Sequence, residues 1–149
     1  MFKLIFFLFY IFFFTTYSIS EQTEYFLMLK NKKVNVRFGP NMNSPIKYIY
    51  KKVNLPLKVI DKKENFRRII DHKKNSGWIH ISQLKKSKSF ITTSEKILFN
   101  KPTKFSKPLA KIDKGRLLLV KKCSNNWCVV KTGKFSGWIS KENIWGTIN

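Results

Sequence analysis

VNVRFGP, Val34 to Pro40, alternates apolar and polar side chains and then breaks on Gly39-Pro40. A period of two predicts a half-buried strand, and the Gly-Pro step predicts a loop behind it. The same reading extends along the chain. Lys33–Arg37, Ile46–Tyr50, Leu57–Ile60, Phe66–Ile70 and Gly77–His80 predict five short strands. A second set follows at Lys96–Phe99, Leu109–Ile112, Leu117–Lys121, Trp127–Lys131 and Gly137–Ser140. Lys62-Lys63-Glu64-Asn65 and Ser124-Asn125-Asn126 predict hairpin turns. No helical period longer than two turns appears after residue 20.

The two sets are copies. Pro40 answers to Pro102, Pro45 to Pro108, Asn65-Phe66 to Asn126-Trp127, and Gly77-Trp78-Ile79 to Gly137-Trp138-Ile139. The offset stays between 60 and 63 residues, and matches kept in one order mean a duplication. The fold class expected is all-β, two tandem half-open barrels, over residues 30–86 and 90–147. Units this small sit near the lower limit for an independent core, so the copies should gain by packing side by side. Lys85-Lys86-Ser87-Lys88-Ser89 reads as a short polar link.

The front of the chain differs from the rest. Lys3 precedes an apolar run of 11 residues, Leu4 to Phe14, and Ser18-Ile19-Ser20 ends the segment on small residues. This predicts a secretory signal peptide over residues 1–20, cut after Ser20. The run falls short of the ~20 apolar residues that span a bilayer. The expected location is therefore periplasmic, and a retained leader would tether the chain to the membrane. Cys123 and Cys128 are the two cysteines, and their spacing is not Cys-x-x-Cys. In an oxidising compartment they are expected to pair as a structural disulfide, worth roughly 2 kcal/mol for so small a loop.

Thirty Lys and Arg stand against eight Asp and Glu, a net charge of +22. Scarcity of acids points to a negatively charged partner: anionic lipid, lipopolysaccharide or wall carboxylates. Export disfavours nucleic acid. Neither His72 nor His80 has metal-ligand spacing, so no metal or cofactor is implied, and His80 is expected to be structural. The carboxylates form no pair suited to acid–base work, and no His stands beside a nucleophile motif. An enzyme is not expected.

The order VNVR-x-GP, a Pro-containing loop, a hairpin with Asn-aromatic in its second strand, then GWIH-x-x-x-L resembles the bacterial SH3-like domain. The resemblance covers Lys33 to Leu84 strongly and Lys96 to Ile144 more loosely, and the pair resembles exported two-repeat members. Phe38 stands where the family usually has a smaller residue, and Phe66 where Trp is common. The second copy reads Phe99-Asn100-Lys101-Pro102 and lacks the Arg-x-Gly-Pro loop. The resemblance implies a non-catalytic module that binds a peptide, either peptidoglycan stem peptide or part of an envelope protein. A structural or adaptor protein of the envelope, drawn electrostatically to anionic surfaces, is the alternative.

Six side chains are groove candidates: Arg37, Phe38, Tyr48, Tyr50, Trp78 and Trp138. Arg37 either ties its loop to a carbonyl or clamps a ligand carboxylate with its guanidinium fork. Tyr48 and Tyr50 share one side of a strand and are expected to line a groove with Phe38, or else an inter-repeat seam. Trp78 and Trp138 either pack at the barrel or offer an open indole face, and packing is the expectation. Phe66 and Trp127 are expected in the core.

Overall fold

The structure is a computed structural model that describes residues 25–148. The expected leader, residues 1–20, lies outside the described residues. The first seven strands are β1 (Tyr25–Leu29), β2 (Val34–Arg37), β3 (Ile46–Tyr50), β4 (Pro56–Lys63), β5 (Phe66–Ile70), β6 (Ser76–His80) and β7 (Leu84–Lys86). The next seven are β8 (Ser89–Thr92), β9 (Lys96–Phe99), β10 (Pro108–Ile112), β11 (Leu117–Ser124), β12 (Trp127–Thr132), β13 (Phe135–Ser140) and β14 (Ile144–Trp145). The first sheet runs β3-β2-β6-β5-β4-β1-β7 and the second β10-β9-β13-β12-β11-β8-β14. Adding seven to each label turns one order into the other, so the duplication is complete in topology.

The fold is all-β, in two tandem units, as expected. All five expected strands of each copy are present. Each copy also has two more, β1 with β7 and β8 with β14. These extra strands carry little alternation: β8 is buried at all four positions. A strand covered on both faces loses the period that marks a half-exposed one.

Alternation places one apolar set inside each unit. Leu29, Val34, Val36, Leu57, Val59, Ile69 and Ile79 form the first core, and Leu98, Leu118, Cys128, Val130 and Ile139 the second. Register shifts occur at Val59/Asp61 and at Val120/Lys122, the same place in both copies. A bulge there bends the long strand and lets one sheet curl over its own core. Cys123 lies directly opposite Cys128 in the β11–β12 hairpin, and the two are disulfide-bonded.

The stretch between the units is not a solvated link. Lys86 ends β7, Ser89 begins β8, and Ser87 and Ser89 are fully buried. Ile91 of the second unit belongs to the first core, against which Leu117 and Trp145 also pack. The Trp145 indole N–H donates to the Pro56 carbonyl at 3.2 Å, and its ring meets Phe26 edge-on at 5.3 Å. The Ser89 hydroxyl donates to the Asn54 carbonyl at 2.7 Å. Gly146 has φ +123°, and a Cβ there would stand 2.6 Å from the Ser89 carbonyl. The seam therefore needs a glycine.

Candidate functional site

Three adjacent strands of the first sheet carry a row of side chains. Arg37 on β2 pairs with Trp78 on β6, and Trp78 pairs with Arg68 on β5. Their chain neighbours Val36, Ile79 and Ile69 are buried in the core. Successive residues of a strand point to opposite faces, so Arg37, Trp78 and Arg68 stand on the outer face. Trp78 is half-buried there, an indole between two guanidinium-bearing positions. It sits on the barrel's outer surface, partly packed and partly open.

Gly77 permits this arrangement. A Cβ at residue 77 would lie 2.4 Å from Val36 Cγ1 and 3.0 Å from the Arg37 carbonyl. With no side chain there, β2 comes close to β6 and brings Arg37 alongside Trp78. Arg37 Nη1 donates to the Ser44 carbonyl at 2.7 Å, which ties the β2–β3 loop to the strand. Phe38 continues from Arg37, 64% exposed, with Lys47 Nζ 5.6 Å from its ring centroid. Lys47 Nζ also donates to the Ser76 carbonyl at 3.0 Å.

Arg37, Phe38, Lys47, Arg68, Ser76, Gly77 and Trp78 line one small cavity of about 270 Å³. A neighbouring cavity of about 560 Å³ shares Arg37 and adds Lys33, Asn35, Met42, His80, Ser82 and Gln83. Neither lining includes a carboxylate. Clustered cations beside a half-buried indole focus positive potential into the groove. Arg supplies a planar fork matched to carboxylate, and Trp supplies a flat apolar face.

The structure separates the sequence-derived candidates. Arg37, Phe38 and Trp78 converge. Tyr48 and Tyr50 do not join them: they pair with Val36 and Val34 and pack against the core. Their rings meet edge-on at 5.2 Å, and the Tyr50 hydroxyl donates to Asp71 Oδ2 at 2.9 Å. Burial, with Tyr48 and Asp71 close by, pushes the Tyr50 hydroxyl well above the usual tyrosine range. Asp71 also accepts from the backbone N–H groups of Lys73 and Asn75 and from the Asn75 amide. Burial raises its pKa, but these hydrogen bonds outweigh that effect and leave the carboxyl below its ordinary value. This cluster anchors the β5–β6 turn. Phe66 is buried, edge-on to His80 at 5.1 Å. Trp127 is only half-buried, edge-on to Phe99 at 5.9 Å. Phe66 is thus buried as expected, whereas Trp127 is not, because its neighbour Cys128 takes the inward position and Trp127 stands on the outer face. His80 accepts from the Ser82 N–H and caps the 3₁₀ turn Ile81–Gln83.

Lys47 and Arg68 were not among the candidates. Arg68 was accessible in principle, since the hairpin register aligns it with Trp78. Lys47 reaches the cavity through a register shift beside Arg37, which alternation alone does not reveal.

The second unit repeats the geometry and changes the chemistry. Trp138 pairs with Phe99 and with Val129, where Trp78 pairs with Arg37 and Arg68. A Cβ on Gly137 would meet Leu98, the Phe99 carbonyl and Leu109, as one on Gly77 meets Val36, the Arg37 carbonyl and Lys47. At three corresponding positions, Arg37, Lys47 and Arg68 become Phe99, Leu109 and Val129. Lys122 Nζ lies 5.8 Å from the Trp138 ring centroid.

No curated protein matches the chain. Among solved structures, it is similar to NlpC2 and NlpC1 from Trichomonas vaginalis, each at 12% identity with a TM-score of 0.39. The match covers 86% and 87% of this chain but 50% and 48% of theirs, so the chain spans about half the length of those proteins. The bacterial SH3 domain model matches twice, at residues 30–86 and 93–146. Those spans take in both sheets but for β1, β8 and the ends, and the chain belongs to the bacterial SH3 domain family.

Proposed function

We propose that the protein is an exported, non-catalytic binding module whose first repeat takes a carboxylate-bearing peptide, with cell-wall stem peptide as the leading class. The observation that carries this reading is the Arg37–Trp78–Arg68 row, with Lys47 beside it and no carboxylate in the lining. A ligand carboxylate would meet the guanidinium groups, and an adjoining apolar segment would lie on Trp78 and Phe38. Membership of the bacterial SH3 domain family supports a binding role.

The test is co-sedimentation of the chain from Glu21 onward with peptidoglycan sacculi, across a salt series. Arg37→Gln and Arg68→Gln should each weaken binding about tenfold at physiological salt, as expected for one charge-assisted hydrogen bond. Lys141→Gln, an equal charge change outside the groove, should have little effect. Equal weakening by all three would reduce the interaction to general electrostatics. The seam favours a second reading, an envelope adaptor, because a shared core and a hydrogen bond join the two units. Soluble muropeptides should displace a wall binder and leave an adaptor in place.

A further inference from the structure

The loop between β9 and β10 holds Phe105 with its side chain wholly in water, 100% exposed. The loop is not slack. Asn100 N–H donates to the Lys107 carbonyl at 3.0 Å, closing its base. Thr103 N–H donates to the Lys101 carbonyl at 2.8 Å, and Ser106 N–H to the Thr103 carbonyl at 3.3 Å. The Ser106 hydroxyl accepts from Lys101 N–H at 3.2 Å, and the Thr103 hydroxyl accepts from Phe105 N–H at 3.3 Å. An internally bonded loop thus presents a large apolar ring that the fold leaves uncovered.

Its surroundings are one-signed. From Lys96 to Ile112 there are five lysines and no carboxylate. Lys96 is turned to the Ser140 hydroxyl and the Glu142 carbonyl, and Lys111 pairs with Glu95 at 2.9 Å. Lys101, Lys104 and Lys107 remain with the loop, without an ion-pair partner among the described residues. Ile97 and Leu109, on the same hairpin, are also exposed. Phe105 is fully exposed with both units present, so the first unit does not cover the loop tip.

We infer that this loop docks on an anionic lipid bilayer, with Phe105 entering the interfacial zone and Lys101, Lys104 and Lys107 lying against headgroups. Charge complementarity decides for a bilayer. The groove of the first repeat offers arginine forks, which suit one directed carboxylate. This loop offers lysines, which act as point charges toward a diffuse negative surface. An aromatic ring ringed by cations is the arrangement that gains from both halves of a lipid interface.

The test is flotation of the chain from Glu21 onward, which contains every strand of both sheets, with vesicles of equal parts phosphatidylglycerol and phosphatidylcholine. The chain should float with these and stay behind with phosphatidylcholine alone. Phe105→Ser should weaken binding about tenfold, the loss expected for partial burial of one Phe ring. Replacing Lys101, Lys104 and Lys107 by Gln should weaken it about 100-fold, at roughly fivefold per lysine. Phe105→Trp should retain binding. These side chains are exposed, so all variants should melt as the parent does. Unchanged flotation of Phe105→Ser, or equal flotation with neutral vesicles, overturns the inference. Sacculus binding should be indifferent to Phe105→Ser, so the groove and the loop stand or fall separately.

Discussion

Asp71 is 3% exposed and accepts four hydrogen bonds, from Tyr50, Lys73 and twice from Asn75. Its carboxyl is lowered in the folded chain, so the unfolded chain takes up the proton first on acidification. The stability it contributes is whole above the unfolded value, about pH 4, and is lost as pH falls through the folded one. Melting temperatures of the parent should therefore hold down to about pH 5 and drop below it. Asp71→Asn should lower stability at neutral pH by about 2 kcal/mol and flatten that acid drop. Tyr50→Phe, which removes one donor, should cost about 1 kcal/mol. Denaturant melts over a pH series measure all of these. The spacing of Tyr48 and Tyr50 made their shared face legible in the sequence. Which face it was depended on Val34 and Val36 across the ladder, and single-strand alternation does not carry that information. Arg37 was legible because it ends an alternating run. Arg68, across Trp78 from it, becomes visible only once the register is known.

At the scale of elements, the two-residue loops Glu64-Asn65 and Asn125-Asn126 of the corresponding hairpins differ at their first position. Glu64 has φ +47° and Asn125, its counterpart, φ +51°. Asn tolerates this left-handed backbone, whereas for Glu it costs about 1 kcal/mol. Glu64→Asn should raise the melting temperature by about 3 °C, read by scanning calorimetry, with sacculus binding unchanged. The hairpins were readable from turn residues flanked by alternating strands. The missed strands had physical reasons to be missed. β14 is two residues long, β8 is buried at every position, and β1 has no exposed residue in its pattern. Such segments gain their strand character from neighbours in the sheet, which a local window does not contain.

On the scale of the whole molecule, the duplication was legible because Gly-Trp-Ile and the prolines recur in order. That the copies pack together was expected from their small size, but the residues of the seam were not legible, since nothing in a repeat's own pattern assigns Ile91 to the other repeat's core. A shared core makes unfolding of the two units interdependent. The chain should melt in one calorimetric transition whose enthalpy matches both units together. Trp145→Ala should cost about 3 kcal/mol and separate that transition into two, since it removes both the Phe26 contact and the hydrogen bond to Pro56.

The buried Ser87 and Ser89 have a further consequence, one of distance. A flexible tether would let two binding faces search a volume, with reach set by its length. Here the join is a strand-to-strand step inside the seam, so the groove beside Trp78 and the tip at Phe105 keep one separation. Were the tip to rest on a surface and the groove to take a ligand, as proposed, the molecule would act as a gauge, and the groove would sample targets at one set distance from that surface.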